Sequence, residues 1–286
     1  RYIGDWSSDV CSSDLALAGL CLSAANGAHA QDTSEKSVYD GDYLTIGAGG
    51  AYGPSYEGSD DYVFFPVAAI QGRVAGVEIN PRPGGLALDF IPDGDRFGFN
   101  LGPVARVRFD RHDQIKDPVV KLLGKRKRGV EVGVTGGVSA YGLLNPYDSL
   151  TATLDLRWDV AGAHNGLVIA PAMTYLTPVS KGAAVVLSVS AEHVDNDYAD
   201  YYFSVTPAGS AASGLPVYNA GKGWKNMGVS LLGSVDLDGD LANGGLALYA
   251  GVQYQRELGD AKRSPVVAIR GDANQWTGAI GIGYTF

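Results

Sequence analysis

The chain has 286 residues, 40 of them glycine, with 19% charged residues and a formal net charge of −9. Glycine is about twice its usual ~7% share, yet it lacks the three-residue period of collagen, and 45% hydrophobic residues are too many for a disordered chain. No run approaches the ~20 apolar residues of a membrane helix, and the acidic balance suits no nucleic-acid partner, which leaves a soluble β protein or a membrane barrel.

The N-terminus indicates export. Leu15 to Leu22 form a short apolar core, and Ala28-His29-Ala30 precede Gln31, the pattern of a signal peptide with an A-x-A cleavage site. The mature chain is expected to begin near Gln31, with a short periplasmic segment over 31–41 and a barrel over 42–286. Residues 1–14 lack a basic n-region, resemble translated sequencing-adaptor read-through, and are expected to be foreign to the protein. Cys11 and Cys21 leave with residues 1–30, so no disulfide supports the mature fold. A lipid anchor at Cys21 is disfavoured, because Leu20 stands where a small residue is required. Loss of Arg1, Asp5, Asp9 and Asp14 takes the charge from −9 to −7.

From Tyr43 onward the chain alternates between apolar and polar side chains with period two, the signature of strands with one oily and one wet face. Strands are predicted over 43–53, 62–71, 95–109, 129–141, 148–160, 166–177, 182–193, 224–237, 245–257 and 274–286. Leu150, Ala152, Leu154, Leu156, Trp158 and Val160 face one way, and Thr151, Thr153, Asp155, Arg157 and Asp159 the other. Ten or more residues is the length of a tilted membrane strand, and a sheet in lipid must close to leave no edge. Residues 77–91 are read either as one strand or as a hairpin broken at Pro81-Arg82-Pro83-Gly84-Gly85. Parity favours the hairpin and twelve strands, with ten as the alternative count.

Short turns at 92–94, 145–147, 178–180 and 238–240 fall on the periplasmic side, and the long connections 111–128, 194–223 and 259–273 fall outside. The last strand alternates Trp276, Gly278, Ile280, Ile282, Tyr284 and Phe286 and ends on an aromatic. That ending resembles the signal by which the outer-membrane assembly machinery selects its clients, which makes Phe286 the candidate assembly residue.

Candidate chemistry is sparse. His193 has Ser190, Glu192 and Asp195 nearby, the ingredients of a hydrolase. Strand alternation turns His193 outward and Ser190 and Glu192 inward, so no enzyme is expected. His112 and His164 lack partners at metal-ligand spacing. Asp236-Leu237-Asp238-Gly239-Asp240 echoes a calcium loop, but Asp-Gly reads as a turn. The run Asp195, Asp197, Asp200 with Tyr198, Tyr201 and Tyr202 reads as a solvated outer loop, with divalent-ion binding as the alternative. Lys121, Lys125, Arg126, Lys127 and Arg128 form the sharpest charge cluster and are candidates for contact with lipopolysaccharide phosphates. Arg106, Arg108, Glu131, Asp155, Arg157, Asp159, Glu192 and Asp236 fall on the inward face and are candidate lumen-lining residues. Both signs are present there, which fits a narrow polar pore or a salt-bridged plug, and the small inward residues between them favour the pore.

Three segments carry a family likeness: Gly53-Pro54-Ser55-Tyr56-Glu57-Gly58-Ser59; Tyr202-Phe203-Ser204-Val205 with Ser213-Gly214-Leu215-Pro216-Val217-Tyr218; and Ser264-Pro265-Val266-Val267 with Arg270-Gly271. With the strand layout, the chain resembles the MipA/OmpV outer-membrane proteins over essentially 42–286. The resemblance implies a Gram-negative outer-membrane barrel among outer-membrane lipids, without catalytic residues or cofactor. It implies either a scaffold joining a lytic transglycosylase to a murein synthase, or a porin-like channel for small polar solutes.

Overall fold

A computed structural model describes residues 37–286, so the expected leader at 1–30 lies outside the described residues. The strands are β1 (Tyr43–Pro54), β2 (Tyr62–Val74), β3 (Val77–Arg82), β4 (Gly85–Asp89), β5 (Phe97–Arg108) and β6 (Gly129–Tyr141). They continue as β7 (Ser149–Asp159), β8 (Leu167–Ser180), β9 (Ala183–Val194), β10 (Gly223–Asp236), β11 (Gly245–Glu257) and β12 (Asn274–Thr285). Each is antiparallel to its chain neighbours, and β1 closes on β12, so the sheet is a closed twelve-stranded barrel. Residues 77–91 form the hairpin β3–β4, as parity required.

The outward faces carry the apolar alternation. Leu231 on β10 stands opposite Leu187 on β9 and Val252 on β11, three exposed aliphatic side chains in one row around the wall. Aromatic clusters bound this band: Tyr52 against Phe64 and Tyr254 against Trp276 at the outer end, Tyr284 against Phe286 at the inner end. Some glycines are required by strand packing. A Cβ at Gly133 in β6 would overlap the Leu156 carbonyl oxygen of β7.

Both termini of a bacterial barrel lie in the periplasm, which places the ends carrying 75–76, 90–96, 142–148, 181–182 and 237–244 on that side. The turn at 75–76 is a tight hairpin in which Ala75 and Gly76 both have positive φ, 53° and 79°. One predicted turn moves. Pro178–Ser180 ends β8, a register shift between Pro178 and Ser180 absorbs the proline, and the chain turns at Lys181-Gly182.

The outer connections are folded. They contain α1 (Pro118–Lys121), α2 (Asn196–Phe203), α3 (Pro207–Ser213), α4 (Gly259–Arg263) and α5 (Pro265–Ala268). Side chains of Asp117, Asp195, Thr206 and Ser264 accept the first N–H groups of α1, α2, α3 and α5, and proline follows three of these caps directly.

A charge in the lipid-facing row tests the orientation of the wall. Leu231→Arg is expected to destabilise the refolded barrel by about 2–4 kcal/mol, read from urea unfolding in lipid vesicles. The same substitution at Leu237, beyond β10, is expected to be close to neutral.

Candidate functional site

The inward charges gather at the outer end of the lumen. Glu131 on β6 receives Arg108 Nε on β5 at 2.6 Å and Arg157 Nε on β7 at 3.0 Å. Glu192 on β9 receives Arg106 Nη1 at 2.8 Å, Arg157 Nη2 at 2.7 Å and Lys225 Nζ on β10 at 2.6 Å. Lys225 also reaches Glu57 of the 55–61 connection at 2.6 Å. Arg82, at the tip of β3, and Arg157 both pair with Asp155, at 3.0 and 3.2 Å. The side chains of Arg108 and Glu131 have 0% exposure.

Charges so deeply buried persist only when each is paired, because removing one partner strands the other out of water. Six residues of the inward face, Arg106, Arg108, Glu131, Asp155, Arg157 and Glu192, are brought together here. The other two serve turns. Asp159 accepts N–H groups from Val130, Ala161, Ala163, His164 and Asn165, and Asp236, at the opposite end of the barrel, accepts those of Asp238, Gly239 and Asp240. Glu57, Arg82 and Lys225 belong to the cluster although none of them was a candidate lumen-lining residue. Lys225 lies near the start of β10 within the register irregularity between Trp224 and Asn226, which obscures its facing.

The roof over this cluster is built from the three segments that carry the family likeness. Tyr56 donates its hydroxyl to the Arg270 carbonyl, Ser264 donates to the Phe203 carbonyl, and Val205 pairs with Tyr218. Tyr56, Val205, Leu215 and Val266 share one buried apolar cluster with Ile115 and Val120, and Tyr198, Tyr202 and Phe203 share another with Val267. Gly58, at φ 91°, lies so close to Val267 that a side chain there would collide. The Tyr198 ring lies 5.0 Å from the Arg108 guanidinium and 5.1 Å from the Lys225 ammonium, so roof and cluster meet through cation–π contacts. His164, 3.3 Å from Glu131, packs on the same tyrosine.

This corrects the reading of 195–202 as a solvated acidic loop. Asp195 caps α2, while Tyr198 and Tyr202 are buried because the helix turns them toward the lumen mouth. Arg111, also in the roof, donates to the Tyr202 carbonyl, and burial together with the neighbouring Arg126 pushes its pKa down to about 10.

The basic cluster lies on the outer surface between α1 and β6. Lys125 pairs with Asp113, Arg126 stacks on Tyr201, and Arg128 stacks on Phe109 and donates to His112, while Lys121 and Lys127 are exposed. His193 packs against outward-facing Trp224, away from Ser190 and Glu192, so the hydrolase ingredients are not assembled. Among the described residues no group of three or more His, Cys, Asp or Glu side chains is placed to hold a metal ion.

The family described as MltA-interacting protein MipA matches residues 46–286. The chain belongs to this family. No curated protein matches the sequence. Among solved structures, the MipA-family barrel is similar to the COG4313 outer membrane channel from Pseudomonas putida F1, at 14% identity and a TM-score of 0.41, covering 90% of this chain and 100% of that one. It is also similar to the outer membrane channel DcaP of Acinetobacter baumannii, at 10% identity and a TM-score of 0.32, covering 86% and 96%. The protein is an outer-membrane barrel of the Gram-negative type.

Two outcomes follow for this MipA-family site. Glu192→Gln is expected to destabilise the barrel by about 3–5 kcal/mol, because it leaves several buried cations short of charge. The midpoint of heat-induced loss of the folded band on unboiled gels measures this, and an unchanged midpoint would contradict the network.

Asp117 provides a pH test of the roof. Burial raises its pKa, but the Arg270 guanidinium at 2.6 Å and the α1 N–H groups outweigh burial and hold it below the usual carboxylate range. Stability from a depressed carboxylate is present above the unfolded value of ~3.9 and is lost as pH falls through the folded value. Protection of the α1 and α5 amides against hydrogen exchange is therefore expected to fall below about pH 4. Asp117→Ala is expected to lower that protection at pH 7 by about 1–2 kcal/mol.

Proposed function

We propose that this barrel is a closed scaffold in murein turnover that holds a lytic transglycosylase near a murein synthase at the inner face of the outer membrane. The observation that supports this reading is the set of buried ion pairs across the lumen mouth. The paired charges of Arg106, Arg108, Glu131, Arg157, Glu192 and Lys225 span the bore beneath a roof with its own apolar packing. A solute would have to displace several buried ion pairs to pass. The family's description as an MltA-interacting protein supports the partner class.

The inner rim supplies a contact surface despite its short turns. Leu144 and Tyr147 in the 142–148 turn are 83% and 60% exposed. Asp148 holds the turn rigid by accepting the N–H groups of Leu143, Leu144 and Asn145 and the Tyr175 hydroxyl. A preorganised turn carrying an aliphatic and an aromatic side chain is a suitable anchor for a protein partner.

A second reading, a porin-like channel for small polar solutes, is favoured by the small polar side chains that line the bore below the cluster, Ser139, Ser188 and Ser234 among them. Planar-bilayer recording and capture of a purified lytic transglycosylase separate the two. The scaffold predicts no unitary conductance and capture that Leu144→Ser with Tyr147→Ser weakens at least tenfold. A reproducible open pore with no capture would replace it by the channel.

A further inference from the structure

The barrel wall has one short seam. β2 pairs with β1 along its length, from Tyr43↔Arg73 to Pro54↔Tyr62. With β3 it pairs only at Val74↔Val77, Arg73↔Glu78 and Gly72↔Ile79, next to the periplasmic turn. Above Gly72, no further β2–β3 rung forms among the described residues. Continued in register, the next hydrogen-bonded rung would set Ile70 against Pro81, and Pro81 has no N–H to give. In the ladder, the even-numbered residues of β2 direct their main-chain groups toward β3, because Val74 and Val77 flank a two-residue turn. Pro66 occupies one of those positions as well. Two prolines thus stand on the facing edges of the gap, where proline is tolerated only because the edge is unpaired.

The gap opens into a cavity. About 290 Å³ of space is lined by Ala68 and Ile70 of β2, Pro81 and Gly84 of the hairpin, and Leu232 and Tyr249 across the lumen. That is close to the ~300 Å³ lower bound of small-molecule sites. Ala68 and Ile70 are exposed on the outward side of the wall, Pro81 is buried, and Leu232 and Tyr249 face inward, so the cavity lies at the stretch of wall that lacks a β2–β3 ladder. Outside it lies hydrocarbon, since the neighbouring Phe64 is 78% exposed. At the top of the seam, Lys116 donates to the Tyr62 carbonyl, which bridges the edge at the aromatic girdle. Between that bridge and Gly72, the N–H groups of Phe64, Ala68 and Ile70 face the gap. An unsatisfied N–H in hydrocarbon costs several kcal/mol, so an occupant must offer hydrogen-bond acceptors as well as an apolar chain.

We propose that the β2–β3 seam is a lateral binding site for a single-chain amphiphile of the fatty-acid type. Its carboxylate meets the β2 edge and its alkyl chain runs between the cavity and the bilayer. The site stands whether the barrel scaffolds or conducts, because it touches the charged cluster only at Arg82 and uses no part of the inner rim.

The test is binding of 11-(dansylamino)undecanoic acid to the barrel in nanodiscs, with protein-free nanodiscs subtracted and lauric acid as competitor. Saturable binding displaced by lauric acid is expected. Ala69→Trp, which fills the cavity, and the double change Pro66→Val with Pro81→Val, which restores two ladder donors, are each expected to weaken it at least tenfold. Folding of each variant is checked by its unboiled gel mobility, and Val189→Trp, outward on β9, is expected to bind like the parent. Absence of saturable binding, failure of lauric acid to displace the probe, or equal binding by both folded lining variants would overturn the proposal.

Discussion

A peptide N–H or C=O in hydrocarbon has no water to turn to, and most of this architecture answers that constraint. It forces the strands to be long, forces β1 to find β12, and forces every side chain into one of two solvents. It also makes departures from pairing informative. The register shift at Pro178 lies at the periplasmic end of β8, where water satisfies loose groups. The short β2–β3 seam lies within the wall, where nothing else does.

Closing the wall transfers the problem inward. A barrel of twelve strands encloses more space than small side chains fill, and this chain fills the outer part with charge rather than with aliphatic bulk. Arg157 bridges Glu131 and Glu192, and Lys225 bridges Glu192 and Glu57, so strands that never pair with one another are tied across the bore. An apolar core of the same volume would hold the strands as firmly. Ion pairs add direction, because each guanidinium fork accepts only certain carboxylate positions. Tyr198 joins the two layers, with its ring over the cations and its helix in the roof.

The wall was legible in the sequence because period two is a local property. Leu150 to Val160 declares its two faces without knowledge of any neighbour, and parity then divides residues 77–91 into two strands. The roof was less legible. Its helices are short, and their apolar residues meet partners from other loops: Val120 meets Val205, and Tyr198 meets Val267. Local signals were nonetheless present at Asp117-Pro118, Thr206-Pro207 and Ser264-Pro265, each a helix cap followed by proline. The charged cluster was half legible. Facing identified Arg106, Arg108, Glu131, Asp155, Arg157 and Glu192, whereas Glu57 comes from a loop with no period and Lys225 sits at an irregular strand end. The choice between a pore and a plug was not legible for a related reason. Strand alternation tells which side chains enter the lumen but not how far along the bore they meet.

The roof has a mechanical meaning distinct from its role as a cover. Its parts come from connections far apart in sequence, around Tyr56, Val120, Val205 and Val266, yet they pack as one body. Such a body acts as a hoop that fixes the outer circumference, and it can tighten only after every strand has entered the sheet. The inner end has no comparable hoop among the described residues and is held by its ladders, by the apolar cluster of Leu176, Val186, Leu232, Ala247 and Tyr249, and by local bonds such as that of the Tyr175 hydroxyl to Asp148. Deformation of the barrel is therefore directed away from the outer mouth, toward the periplasmic rim and the short seam beside it.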